Sequence, residues 1–192
     1  MGVKESFIGL FRANIHRDGA EELLQMLEES DFFTAPASTK FHGACEGGLA
    51  QHSINVHRCL AEKAASFPNG VLHGISSETL AIVSLLHDVC KIGCYKSDLK
   101  NVKNELGQWV KGPYYVHDDS NPYGHGEKSV DMIRDFMKLT EEEKYAIRWH
   151  MGPYTGEKDW QNFGKSVEKY PLVLALFEAD MEATHLLETE NA

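Results

Sequence analysis

The sequence predicts an all-α protein, a helical bundle carrying one small β-hairpin insertion. Three observations point there. Apolar residues recur at helical spacing through most of the chain, as in Leu23, Leu24 and Leu27. Capping residues stand ahead of those runs, most clearly in "TEEE", where Thr140 and Glu143 have the spacing of a capping box. Residues 95–124 break the pattern, with aromatic and β-branched residues around Gly107 and Gly112.

Taken in order, residues 18–29, "DGAEELLQMLEE", form a helix whose expected N-cap is Asp18. A breaker-rich segment, "TAPASTKFHGACEGG", separates it from a second helix that starts near Leu49 and stops at Pro68 and Gly70. Ser76 or Ser77 caps the third helix, "ETLAIVSLLHDVCKI". The insertion at 95–124 reads as a hairpin, and "SNPYGHGE" is a turn-rich entry to a helix near 126–137. The helix after Thr140 carries Ala146, Ile147 and Trp149. A loop with turn signals then leads to Pro171, suited to a first helical turn, and to the last helix, "LVLALFEADMEATHLLE". No repeat interrupts this order, and residues 1–192 are expected to form one domain with a core from about 40 to 185.

Composition narrows the function. The formal charge of −10, from 19 basic and 29 acidic side chains, argues against a duplex nucleic acid or an anionic membrane as partner. It leaves room for a small phosphorylated substrate, because bound cations reverse the local sign. Cys45, Cys59, Cys90 and Cys94 form no CxxC pair, so reduced thiols are expected rather than a disulfide framework. The runs "LAIVSLL" and "PLVLALF" are too short to span a bilayer, and the first residues lack a signal-peptide pattern. A cytoplasmic location is the expectation.

The chemistry lies in "SLLHDVCKIG". An apolar helix runs straight into His87 and Asp88, a costly placement unless something compensates the charge. Of the ten histidines, His16, His42, His73 and His117 sit in polar or turn-rich sequence and read as surface residues. His185 falls in the tail of the last helix. His57 follows His52 by five residues, about 140° round the helix and off its face. His52, His87, His125 and His150 remain, each on or beside a helix, with Asp88 and with Asp180 in the apolar run "LALFEADMEA". Each alone reads as a hydrogen-bonded core residue. Together, one shared metal centre in the bundle core explains all six, since bundles build such sites from facing helices.

These residues carry a resemblance. "GGLAQHS", "HDVCK", "GHGEKS", "RWHMG" and "EADMEAT" resemble the successive signatures of the HD-domain metal-dependent phosphohydrolase superfamily, over about residues 40–185. The resemblance implies an all-helical HD-domain bundle. It implies that His52, His87, Asp88 and Asp180 are the four defining ligands. His125 and His150 would be the additional histidines of dinuclear members, with Asp88 bridging. The chain departs from the pattern at Cys90, where a glycine is usual, and at His150, which stands without a paired histidine.

The expected cofactor is one or two divalent transition metals: imidazole with carboxylate suits Mn, Fe, Co, Ni or Zn, and Mg less well. A two-metal centre activates water and offsets phosphoryl charge. Asp88 and Lys91 are the expected catalytic residues. Lys91, three residues after Asp88, reads as a phosphate contact, with an ion pair to a neighbouring carboxylate as the alternative. Lys128 and Arg148 are further phosphate candidates, and the glycines of "GHGEKS" allow close backbone approach to a ligand or simply make a turn. In the insertion, Tyr95, Trp109, Tyr114 and Tyr115 could stack on a base, or pack on the bundle. The expected function is therefore a phosphomonoesterase or phosphodiesterase acting on a small nucleotide-like substrate. The alternatives are a di-iron oxygenase of the same superfamily and a non-catalytic nucleotide-binding domain.

Overall fold

Helices supply the frame of this computed structural model, which describes residues 2–40, 42–67, 70, 72–103, 107–119, 121–153 and 157–188. The first helix, α1 (Val3–Asn14), has no counterpart among the expected elements. Phe7 and Phe11, four residues apart, place both rings on one buried face. Phe7 meets Phe32 and Phe33 edge to face, with centroids 5.0 and 5.5 Å apart. Helix α2 (Ala20–Glu29) buries Leu23, Leu24 and Leu27, but its N-cap is Gly19 rather than Asp18. Gly19 takes φ 87°, and a Cβ there would lie 1.9 Å from the Phe136 carbonyl oxygen. Tertiary approach decides that boundary, and Asp18 is left exposed.

Helix α3 (Gly48–Ser66) buries His52, Ser53, Val56 and Leu60 on one stripe. It ends just before Pro68, which lies outside the described residues. Helix α4 (Ser77–Leu86) is capped by Ser76, whose hydroxyl accepts from the Thr79 amide, and buries every residue from Ala81 to Leu86. The helix stops at Leu86 instead of continuing to Ile92. His87 is its C-cap, Asp88 leaves the helical region at φ −109° and ψ 15°, and a 3₁₀ turn covers Val89–Lys91. That sparsely populated bridge region is common at active-site residues.

Strands β1 (Tyr95–Lys103) and β2 (Trp109–His117) form the hairpin, antiparallel from Tyr95 opposite His117 to Lys103 opposite Trp109. Then come α5 (His125–Arg134) and α6 (Glu141–Trp149), the latter with the full Thr140–Glu143 capping box. A helix, α7 (Glu157–Lys169), occupies much of what reads as loop in the sequence. It buries only Phe163 and Ser166, packing Phe163 against Trp149. The last helix, α8 (Leu172–Glu182), follows Pro171 and passes into a π turn over Ala183–Leu187.

The core is held by α3 against α4 and α8, and by α6 against α5 and α8. Leu49, Leu60, Ile82, Leu85, Leu86, Ile147 and Leu176 are fully buried in it. One partly buried ion pair fastens the α1–α2 connection to α6: Arg17 donates to both oxygens of the buried Glu143 at 2.8 and 3.0 Å. Glu143 also accepts from the Thr79 hydroxyl and the Thr140 amide. Among the described residues, no helix is long and apolar enough to cross a membrane.

Candidate metal centre

Five elements bring four imidazoles and two carboxylates to one point. His52 comes from α3, His87 and Asp88 from the end of α4, His125 from the first turn of α5, His150 from the end of α6 and Asp180 from α8. All but His125 are buried. The Asp88 carboxylate divides the cluster. Its Oδ1 lies 2.8 Å from His125 Nε2 and 3.3 Å from His150 Nε2. Its Oδ2 lies 3.4 Å from His87 Nε2, 3.7 Å from His52 Nε2 and 2.7 Å from Lys91 Nζ. Asp180 Oδ1 closes the second side, 3.1 Å from His52 Nε2. His52, His87 and Asp180 offer ligand atoms within 4.8 Å of one another, as do His87, Asp88 and His150.

Tautomers follow from the other ring nitrogens. His87 Nδ1 donates to the Ser84 carbonyl at 2.8 Å and His150 Nδ1 to the Ile147 carbonyl at 2.7 Å. Each ring therefore turns its Nε2 toward a carboxylate, and His150, held below its ordinary value by burial, sets acceptor against acceptor. His150 Nε2 is buried without a hydrogen-bond partner. An orphaned lone pair among carboxylates fits a cation, and a nitrogen and oxygen donor set of this kind suits a divalent transition metal.

The ionisation of the cluster tells the same story. Burial works against a charged His52, but hydrogen bonds to Asp180 and Glu188 outweigh it and raise the imidazole to about 9. His125 is likewise raised to about 10 by Asp88 and Cys90 against the cost of burial. Burial would raise Asp88 and Asp180, yet the surrounding cations hold both below the ordinary carboxylate range: Lys91 and the histidines for Asp88, and His52 above all for Asp180. Protons thus stand where metal charge would stand.

Two participants went unread in the sequence. Glu188 accepts from His52 Nδ1 at 3.1 Å, and from the Asn55 amide at 2.8 Å. His42 is half-buried, with its ring centroid 4.9 Å from that of His52 and a buried Nδ1 that lacks a partner. Burial lowers it to about 4, so it is neutral near pH 7. Its turn-rich surroundings gave no signal of burial. Cys90, in the place of the usual glycine, sets its Sγ 3.4 Å from His125 Nδ1. His57, read as lying off the face, hydrogen-bonds Ser84 at 2.9 Å.

The expected substrate contacts are placed unevenly. Lys91 bonds Asp88 and the Ala37 carbonyl, the latter at 2.7 Å, so it forms the ion pair that was its alternative reading. Lys128 pairs with Asp119 at 2.9 Å and lines a small pocket with Lys91, Tyr95, His117 and His125. Arg148 is not brought there: it pairs with Glu127, stacks on Trp149 and lines a separate cleft. Trp109 is 69% exposed at the far end of the hairpin, under Lys103, and reaches no part of the cluster. Tyr115 is half-buried near Cys45 and Glu46. The base of the hairpin does reach the site, since the Tyr95 hydroxyl donates to the Ala37 carbonyl at 3.2 Å. A second cleft, of about 440 Å³, opens beside His52 between Gly43, Glu46, Gln51, Asn55 and Glu188. The close approach in "GHGEKS" is made to another helix: a Cβ on Gly126 would lie 2.4 Å from the Arg148 carbonyl oxygen.

The family model for the HD domain matches residues 49–186, well over half of the chain. No curated protein and no solved structure matches it significantly.

Proposed function

The chain belongs to the HD-domain family of metal-dependent hydrolases, and from that premise we propose that it is a phosphohydrolase acting on a small, nucleotide-like phosphoester. The observation that carries this reading is the division of the Asp88 carboxylate. One oxygen faces His125 and His150, and the other faces His52, His87 and Lys91. A single carboxylate with imidazoles on both sides suits a bridged pair of cations. His52, His87 and Asp180 would hold one, His125 and His150 the other. Divalent metals bound there would lower the pKa of a coordinated water and offset charge on phosphoryl oxygens.

The chain's own residues supply the remainder. Lys91 keeps its charge in a buried position, because Asp88 outweighs the penalty of burial and raises the ammonium above its ordinary value. With Asp88 engaged by divalent metals, Lys91 would be free to contact a phosphoryl oxygen. Lys128, sharing the same small pocket, adds a second cation in a chain of net charge −10. Each lysine is paired, Lys91 with Asp88 and Lys128 with Asp119, so they would meet an anion in exchange for those partners. The open cleft beside His52 gives room for the remainder of a small substrate.

The test is a screen of mono-, di- and cyclic nucleotides with the metals of the set, and Asp88→Ala as control. Phosphate or ester-bond release that disappears in Asp88→Ala is the expected result. Release retained in that variant rejects the mechanism. The same nitrogen-rich set suits iron, so oxygen uptake without ester hydrolysis would point to a di-iron oxygenase instead.

A further inference from the structure

We infer that Glu188 is a positioning residue that fixes the tautomer and orientation of His52 for metal binding. This rests on the reading of the six residues as a metal centre. His87 and His150 solve the problem of orientation locally. Each ends its helix, and each donates Nδ1–H to a carbonyl three residues back. His52 has no such solution. It lies inside α3, which continues to Ser66, and the carbonyls behind it are taken by the helix's own hydrogen bonds. The acceptor must come from elsewhere in the fold.

Glu188 provides it. Its oxygens lie 3.1 and 3.2 Å from His52 Nδ1, and its side chain is only 8% exposed. A carboxylate only accepts, so the Nδ1 must carry the proton and Nε2 is left to face Asp180 and Asp88. The Asn55 amide holds the carboxylate in place from α3 itself. Delivery depends on the π turn at Ala183–Leu187, which re-phases the chain after α8. Asp180 and Glu188, eight positions apart on one segment, thereby grip the two nitrogens of the same ring. A carboxylate behind a ligating imidazole also raises its basicity, and loss of such a partner typically weakens metal affinity by about 10–100-fold.

The test is Mn²⁺ titration calorimetry on the full chain, comparing wild type with Glu188→Ala, Glu188→Gln and Lys63→Met. Lys63 ties α3 to α8 through Glu178 and Glu182, without touching His52. Its removal loosens the same helix pair but leaves the imidazole held. Mn²⁺ affinity should fall by about 10–100-fold in Glu188→Ala. It should recover in part in Glu188→Gln, whose amide oxygen still accepts. In Lys63→Met it should stay within about twofold of wild type while thermal stability drops. Affinity within about twofold of wild type in Glu188→Ala overturns the assignment. So does an equal loss in Lys63→Met, which would make Glu188 a mere tether. A second readout applies whether or not the alanine variant folds. In the Zn²⁺-loaded wild type, the His52 Nδ1 proton should be visible and downfield by NMR, and it should move in Glu188→Gln. A missing or unmoved resonance rejects the role. Failure of wild type to take up Mn²⁺ overturns the metal centre with it, whereas an insensitive Glu188→Ala overturns this role alone.

Discussion

Metal uptake should strengthen steeply with pH, because protons occupy the positions that a cation would take. His52 is held at about 9 by Asp180 and Glu188, against the cost of burial. At pH 7 about one ring in a hundred is then free of its second proton, and removing it costs about 3 kcal/mol. His125 is raised further, to about 10, but its side chain is 37% exposed. Solvent screening reduces what that second proton contributes. Binding therefore releases between one and two protons, and apparent affinity should rise about tenfold per pH unit for each proton displaced. The rise should be at full slope from about pH 7 to 9, lose the His52 contribution above about 9, and flatten above about 10, where His125 also loses its proton unaided. Mn²⁺ calorimetry across that interval, in two buffers of different ionisation enthalpy, reads both the affinity and the protons released. A flat affinity with no proton release would refute the assignment of these imidazoles as ligands.

Gly126→Ala should push α5 away from α6, since the new Cβ would meet the Arg148 carbonyl oxygen at 2.4 Å and Arg148 Cα at 2.7 Å. Overpacking of this kind costs about 1–3 kcal/mol, read by urea unfolding. His125 is its neighbour, so Mn²⁺ stoichiometry should fall with it, and unchanged stability and stoichiometry would contradict the packing. Glu143→Gln removes the charge beneath Arg17 and should cost about 1–3 kcal/mol at neutral pH, since Arg17 is partly exposed and keeps Glu78 as a partner. Burial opposes ionisation of Glu143, but Arg17 and the Thr140 amide hold its carboxyl below the ordinary value. Its contribution is therefore complete above the unfolded value of about 4.3 and fades as pH falls through the folded one. The gap between wild type and variant in urea melts should narrow in acid. A gap that widens there would show the pair is not what stabilises this corner.

What could be read from the sequence was read where polarity contradicted its surroundings. His87 and Asp88 close a run of buried apolar residues, and Asp180 interrupts another. Such contradictions survive in one dimension. Glu188 does not produce one. It is a glutamate in a polar tail, and its meaning depends on a histidine 136 residues away. His42 is hidden in the same way by turn residues, although its ring lies against His52. The end of α4 was misplaced because apolar content looks alike in an α-helix and in the 3₁₀ turn that follows Asp88. Helix α7 escaped because its apolar residues, Trp160, Phe163 and Val167, stand at helical spacing but are few among charged ones, and the glycines and proline before them read as loop. Asp18 lost the cap of α2 to Gly19 through the approach of Phe136, a contact between distant segments.

Anomalous diffraction from crystals grown with Mn²⁺ would probe the centre most directly. Peaks are expected on either side of the Asp88 carboxylate, one within coordination distance of His52, His87 and Asp180 and one near His125 and His150. An anomalous map with no peak among these six residues, or with manganese only at surface carboxylates, would contradict it.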